Sequence, residues 1–250
     1  MVPHMRRFAL PLVLLALSLP TLSIAGECDF YLAGRRQFLT RDFSREGNRV
    51  RVAFFDADDT LRTTLSGYVA PNHPDDVSIM PNTAEKLREL SKQGYLIAVV
   101  SNQFGISKNY VTYENADRAL FRMVKLLKEQ GATVHYYDFA EDKDHNHKPA
   151  TGMARTLQAI LAADFGPNIE IDWKNSFMVG DQAYAKGETR PDGKPGTHFS
   201  RSDRGFADNL GIRFVEAYTY FGREEPTSQA KIPEIISGPS AASSTALPSP

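Results

Sequence analysis

Two carboxylates, Asp56 and Asp58, directly follow the fully apolar run Val52-Ala53-Phe54-Phe55. Like charges crowded at the end of a buried strand repel one another and lose hydration, and a bound cation relieves both penalties. Hard oxygen ligands of this kind suit magnesium. Asp181 stands just beyond a second apolar run, 176–179, and would complete a carboxylate set for the ion. Ser101 and Asn102 follow a third run, 95–100, and Lys148 lies in the loop after a fourth, 133–137. The plain alternative for Asp56-Ala57-Asp58-Asp59-Thr60 is an acidic turn that caps the next helix. The outer acids directly end a fully apolar strand, which weighs against that alternative.

Helical patterns separate these runs. Residues 82–93 read as a helix after Pro81, with Asn82 and Glu85 spaced as a capping box and Gly94 as the stop. Residues 113–130 place Ala116, Leu120, Met123, Val124 and Leu127 on one side and end at Gly131. Residues 153–163 read as a third helix, and 212–215 as a fifth strand. Strands alternating with helices imply an α/β fold, a parallel sheet flanked by helices on both faces. In open α/β sheets ligands bind at the carboxyl ends of the strands. Residues from four separate loops therefore converge on one crevice.

The segments FFDADDTL, VVSNQFGI, HKPATGM and FMVGD stand in the order of the four motifs of haloacid-dehalogenase phosphatases, and the chain resembles that superfamily from about Val50 to Phe221. The stretch at 199–214, FSRSDRGFADNLGIRF, is similar to the end of the phosphatase domain in the polynucleotide kinase 3'-phosphatase family. The resemblance implies a Rossmann-like core with a small or absent cap. It implies that Asp56 attacks phosphorus and becomes an aspartyl-phosphate, while Asp58 gives a proton to the leaving alkoxide and later takes one from water. Ser101 and Lys148 would hold phosphoryl oxygens. Asp56, the backbone carbonyl of Asp58, and Asp181 would bind Mg2+. Thr60 would orient the catalytic loop, and Thr60, Asn102 and Arg204 are expected on the substrate side. Asp203 occupies a later acidic position, as a second-shell group or an orienter of Lys148. Two departures stand out: Asp59 replaces a common glycine, and His147 stands where close relatives often carry Arg before Lys-Pro. No G-x-x-x-x-G-K-[ST] sequence occurs, so the kinase half of the namesake enzyme is missing from this chain.

The flanks read differently. Arg6 and Arg7 precede a block, Phe8 to Leu22, that is mostly apolar, and Ser23-Ile24-Ala25 offers the small residues of a signal-peptidase site. Residues 1–25 are thus expected to be a signal peptide, with a mitochondrial presequence as the rival. The mature chain would be periplasmic or secreted, with no stable membrane anchor after cleavage. Residues 26–49 form an Arg-rich segment, 50–222 the phosphatase domain, and 223–250 a Pro/Ser/Ala-rich tail too poor in apolar surface to order itself. The net charge is −1, so no global pull toward nucleic acid exists, and any polyanion site must be local. Cys28 is the only cysteine, which excludes an internal disulfide.

Several features take the plainer reading. Asp142, Asp144, His145 and His147 have the composition of a metal site, but zinc-loop relatives use cysteines there. Trp173 is expected to pack rather than stack on a base. Tyr136 and Tyr137 are expected to divide between core and surface. The arginines of 35–51 are expected to be solvated, with contact to a phosphate backbone as the second reading. The expected substrate is a 3'-phosphate on a DNA or nucleotide end, approached through Lys186, Arg190, Lys194, Arg201 and Arg204. Small phosphate esters are the alternative, and a binding protein with a dead site is the third possibility, opposed by the intact acidic set. No protein partner can be inferred.

Overall fold

A computed structural model describes residues 34–224; the expected leader and nearly all of the tail lie outside them. In chain order the elements are β1 (Arg49–Val50), β2 (Val52–Phe55), β3 (Arg62–Thr63), β4 (Ser78–Ile79), α1 (Thr83–Lys92), β5 (Leu96–Asn102), α2 (Tyr113–Glu129) and β6 (Tyr136–Ala140). Then follow α3 (Gly152–Phe165), β7 (Glu170–Ile171), β8 (Phe177–Gly180), α4 (Ser202–Leu210), β9 (Arg213–Glu216) and α5 (Ala217–Phe221). The central sheet has the order β6-β5-β2-β8-β9, and every pairing in it is parallel.

The central strands β2 and β8, and β5 up to Val100, are apolar without interruption because both faces are covered. Side chains alternate across the sheet. Ala53, Phe55, Ile97, Val99, Phe177 and Val179 meet Leu87 and Leu90 of α1, Leu120, Met123 and Leu127 of α2, and Phe221 of α5. Val52, Phe54, Leu96, Ala98, Val100 and Met178 meet Met153, Leu157 and Leu161 of α3 and Phe206 of α4. Trp173 lies parallel to the Phe54 ring, with centroids 6.4 Å apart, and packs there.

Three local expectations are corrected. The capping box at Asn82 does not form: Asn82 has φ 63°, and its Nδ2 donates to Phe221 O at 2.9 Å. That bond ties the start of α1 to the last helix instead of to Glu85. β6 starts three residues later than the apolar run 133–137 suggests and contains Asp138. A buried carboxylate is tolerated mid-strand only when it is paired. Arg35 Nε and Arg36 Nε each lie 2.9 Å from Asp138 Oδ1, and Phe139 N donates to the same oxygen at 2.8 Å. Finally, Tyr136 and Tyr137 are both fully buried, on opposite faces. Tyr137 donates its hydroxyl to Asp117 Oδ1 at 2.9 Å.

The segment before the sheet explains that burial. Arg36 N donates to Tyr137 O and Leu39 N to His135 O, so the chain at 36–39 runs along the open edge of β6 and covers it. Phe38 enters the core, and the Arg35 guanidinium lies 3.8 Å from the Phe139 ring centroid. Arg35 is therefore a largely buried structural clamp, and Arg36 pairs with the same carboxylate from a solvent-exposed position.

Above the carboxyl ends of the strands the decoration is small. β3 and β4 pair antiparallel, Arg62 opposite Ile79, with a short 3-10 turn at Pro74–Asp76 between them. Residues 183–199 fold back on themselves through Lys186 N to His198 O and Arg190 N to Lys194 O. Among the described residues no large cap is present, and no helix is long and apolar enough to cross a membrane.

Candidate active site

The end of β2 is fastened to its neighbour by Asp56 N donating to Val179 O at 3.0 Å. The chain then turns tightly: Leu61 N and Arg62 N both donate to Ala57 O, and Asp59 N donates to Arg62 O. Asp59 takes φ 52° within this turn. That left-handed conformation favours glycine, which accounts for the glycine common at the position. Aspartate tolerates it better than most side chains.

Lys148 is 1 % exposed, and its Nζ lies 2.5 Å from Asp56 Oδ1 and 2.6 Å from Asp203 Oδ1. Burial alone would lower its pKa; Asp203 and Asp56 outweigh burial and raise it. Asn102 fixes the lysine's backbone from both sides. Its Oδ1 accepts from Lys148 N at 2.8 Å and its Nδ2 donates to Lys148 O at 3.0 Å. Asn102 is thus committed to the lysine rather than open to substrate.

Asp203, at the start of α4, is fully buried and accepts from Gln182 N at 3.0 Å. Gly180 permits this approach, since a Cβ there would stand 2.3 Å from Asp203 Oδ2. Gly205 likewise lets α4 close on Pro149, where a Cβ would meet the proline ring at 2.7 Å.

Asp56, Asp181 and Asp203 can each place a carboxylate oxygen within 4.8 Å of the others. Burial pushes the Asp56 carboxyl up to about 7; Lys148 opposes the rise, and Asp203 and Asp58 add to it. Asp181 is raised well above its usual value, first by burial and then by Asp203, Asp56 and Asp59. Carboxylates that resist ionising together in a confined space fit a hard divalent cation, because the ion supplies the missing charge. Sequence reasoning placed Asp56 and Asp181 in this set. Asp203 joins them only through the packing of α4.

Ser101 is buried at the end of β5, and its Oγ accepts from Gln103 Nε2 at 2.9 Å. The same nitrogen donates to Asp58 Oδ2 at 2.8 Å, while Arg62 Nε donates to Asp58 Oδ1 at 2.8 Å. Neither Gln103 nor Arg62 was singled out from the sequence. Thr60 is fully buried behind the turn, and its carbonyl accepts from Arg223 Nη1 at 2.8 Å. That placement serves the loop rather than a substrate contact. Arg204 lies 4.6 Å from the Tyr184 ring centroid and 3.9 Å from Asp208.

Most cations of the region expected at 186–204 stand beside acids. Arg190 lies 3.7 Å from Glu216, Lys194 lies 3.7 Å from Asp192, and Arg201 lies 3.3 Å from Glu188. Other cations gather on Phe104, in the loop that follows Ser101. Lys108 Nζ and Lys143 Nζ each lie 4.9 Å from the Phe104 ring centroid, and His147 packs edge-on to that ring at 5.8 Å.

A parallel sheet that gathers two motif aspartates, a hydroxyl, a buried lysine and two further carboxylates defines a phosphatase of the haloacid-dehalogenase type. The chain belongs to the polynucleotide kinase 3 phosphatase family, whose model matches residues 51–221. It is 32 % identical over 171 residues to the bifunctional polynucleotide phosphatase/kinase of Schizosaccharomyces pombe, covering 67 % of this chain and 36 % of that protein. This chain thus spans about a third of that relative. It is also 32 % identical over 143 residues to D-glycero-beta-D-manno-heptose-1,7-bisphosphate 7-phosphatase of Haemophilus influenzae, covering 53 % of this chain and 71 % of that one. Among solved structures, a HAD-like phosphatase of Mesorhizobium loti matches with a TM-score of 0.54 at 18 % identity, covering 73 % of this chain and 86 % of that one.

Proposed function

We propose that this phosphatase requires magnesium, forms an aspartyl-phosphate at Asp56 and removes the 3'-phosphate from DNA or nucleotide ends. An Asp56 carboxylate oxygen attacks phosphorus, and the bond from phosphorus to the ester oxygen breaks. Asp58 gives its proton to that oxygen, which leaves as an alcohol. Water then attacks the phosphorus of the acyl phosphate, Asp58 takes a proton from it, and inorganic phosphate departs while Asp56 is restored. Ser101 and Lys148 hold the phosphoryl oxygens, and Asp203 keeps Lys148 in place. Asp56, Asp181 and the carbonyl of Asp58 would hold the magnesium ion, which when bound offsets phosphate charge. Replacing Asp181 with Ala is expected to raise the magnesium concentration for half-maximal activity by at least roughly 10- to 100-fold, the scale of losing even an outer-shell partner. Full activity in excess EDTA would rule the metal out.

The observation that carries the strand-end reading is Phe104 with two lysines beside it, next to Gln103 and the Lys148 loop. A ring and two ammonium groups without a carboxylate partner among the described residues suit a base and the phosphodiester that follows it. The family match supports the same substrate class. We expect kcat/KM for a 3'-phosphorylated oligonucleotide to exceed that for a 3'-mononucleotide at low salt, and the advantage to shrink as salt rises. A 5'-phosphorylated strand should be turned over far less well. The similarity to a heptose bisphosphate phosphatase favours a second reading, a small phosphate ester. Equal kcat/KM for oligonucleotide and mononucleotide, with parallel salt slopes, would select that reading. We further propose, from residues 6–25, that the enzyme is exported to a periplasm or beyond.

A further inference from the structure

Asp58 is held at both oxygens, and the two oxygens have different surroundings. Oδ2 shares the Gln103 amide nitrogen with Ser101 Oγ, at 2.8 and 2.9 Å, so it lies on the side of the phosphoryl-binding hydroxyl. Oδ1 faces β3 and accepts from Arg62 Nε at 2.8 Å. Arg62 is fully buried in the small hairpin. Its Nη1 and Nη2 are enclosed and have no hydrogen-bond partner among the described residues. Unsatisfied buried donors are destabilising, and arginine is almost never fully buried without a partner. An apolar or β-branched residue would complete a strand of this kind without that penalty. The side-chain contact that sets Arg62 apart is therefore the one to Asp58.

We infer that Arg62 is a positioning residue that clamps Oδ1 of Asp58, so that Oδ2 is the oxygen that delivers the proton to the leaving group and receives it back from water. The inference rests on Asp58 being the acid and base proposed above. Without the clamp the carboxylate turns about its χ2 axis, and Oδ2 faces the leaving oxygen for only part of the time. Binding of phosphate and attack by Asp56 do not depend on that orientation. The defect should therefore fall on esters whose alkoxide needs a proton and should spare p-nitrophenyl phosphate, whose nitrophenolate leaves without one.

The test compares kcat/KM for a deoxynucleoside 3'-phosphate and for p-nitrophenyl phosphate in wild type, Asp58→Asn, Arg62→Met and Arg62→Lys. Arg62→Met should lose roughly 30-fold or more on the alkyl ester and no more than about 3-fold on the aryl ester. Arg62→Lys should recover part of the alkyl activity, because an ammonium can reach Oδ1 but lacks the planar fork of the guanidinium. Equal losses on both esters in folded Arg62→Met would overturn the inference. If that variant does not fold, Arg62→Lys decides: a loss confined to the alkyl ester supports the clamp, and equal losses or none overturn it. Asp58→Asn separates the two levels. If it is selective and the Arg62 variants are not, the clamp alone fails. If Asp58→Asn is itself unselective, the acid–base assignment fails and the clamp with it.

Discussion

Asp56→Asn is expected to lower turnover by roughly 10⁴-fold or more, the scale of losing a covalent nucleophile. The amide is nearly isosteric, but its nitrogen lone pair is delocalised and its oxygen carries no full charge. The fold should survive. Asp56 is raised to about 7 by burial and by Asp203 and Asp58, against the pull of Lys148, so one fewer carboxylate removes repulsion from a crowded site. The thermal midpoint of Asp56→Asn should therefore match or exceed that of wild type. Activity within about tenfold of wild type, in protein shown by mass spectrometry not to have deamidated, would contradict the assignment.

The second large effect belongs to Lys148→Met. The lysine is buried between Asp56 and Asp203, and its loss leaves both carboxylates facing Asp181 without a counter-charge. Breaking a buried ion pair at one partner costs about 3–5 kcal/mol. Activity should fall by at least ~10²-fold, the scale of losing one donor to a developing negative charge. The stability deficit should depend on pH in a definite direction. Asp56 has a folded-state pKa near 7, against about 3.9 for an unperturbed aspartate, so between those values the folded state holds a proton that the unfolded state has released. Stability from this group therefore falls as pH rises through that window. Removing the lysine carries the penalty further upward. The midpoint of Lys148→Met should lag wild type more at pH 8 than at pH 5. A deficit that is the same at both values would mean that Lys148 contributes by packing rather than by charge.

Much of this site was legible because a strand buried on both faces reads as an uninterrupted apolar run, and the polar residue that ends it is then conspicuous. Asp56, Ser101 and Asp181 were found that way, Lys148 lay in the loop after another such run, and the order of the motifs supplied its role. What the sequence concealed depends on contacts between distant segments. Asp138 fell just outside the expected strand, 133–137, because its partners, Arg35 and Arg36, lie about a hundred residues earlier. Asp203 was legible as a second-shell group or an orienter of Lys148, but not as a member of the carboxylate set. Its bond to Lys148 exists because Gly180 and Gly205, lacking Cβ atoms, let α4 come close. Arg62 sits between Leu61 and Thr63, where nothing in the local pattern marks a buried guanidinium aimed at Asp58. The cations at 186–204 looked free in sequence, yet Arg190, Lys194 and Arg201 stand beside acids close by in the fold. Charge counted along a chain does not report charge left available on its surface.

The central claim is that phosphate passes through a covalent bond to Asp56. Acid quenching during turnover of radiolabelled p-nitrophenyl phosphate, in wild type and in Asp58→Asn, tests it directly. Label should remain on the protein, be released by hydroxylamine as expected of an acyl phosphate, and after borohydride reduction mark position 56 as homoserine in peptide mass spectra. Asp56→Asn should carry no label. Hydroxylamine-stable label on Ser101, or reduction at a carboxylate other than Asp56, would contradict the account.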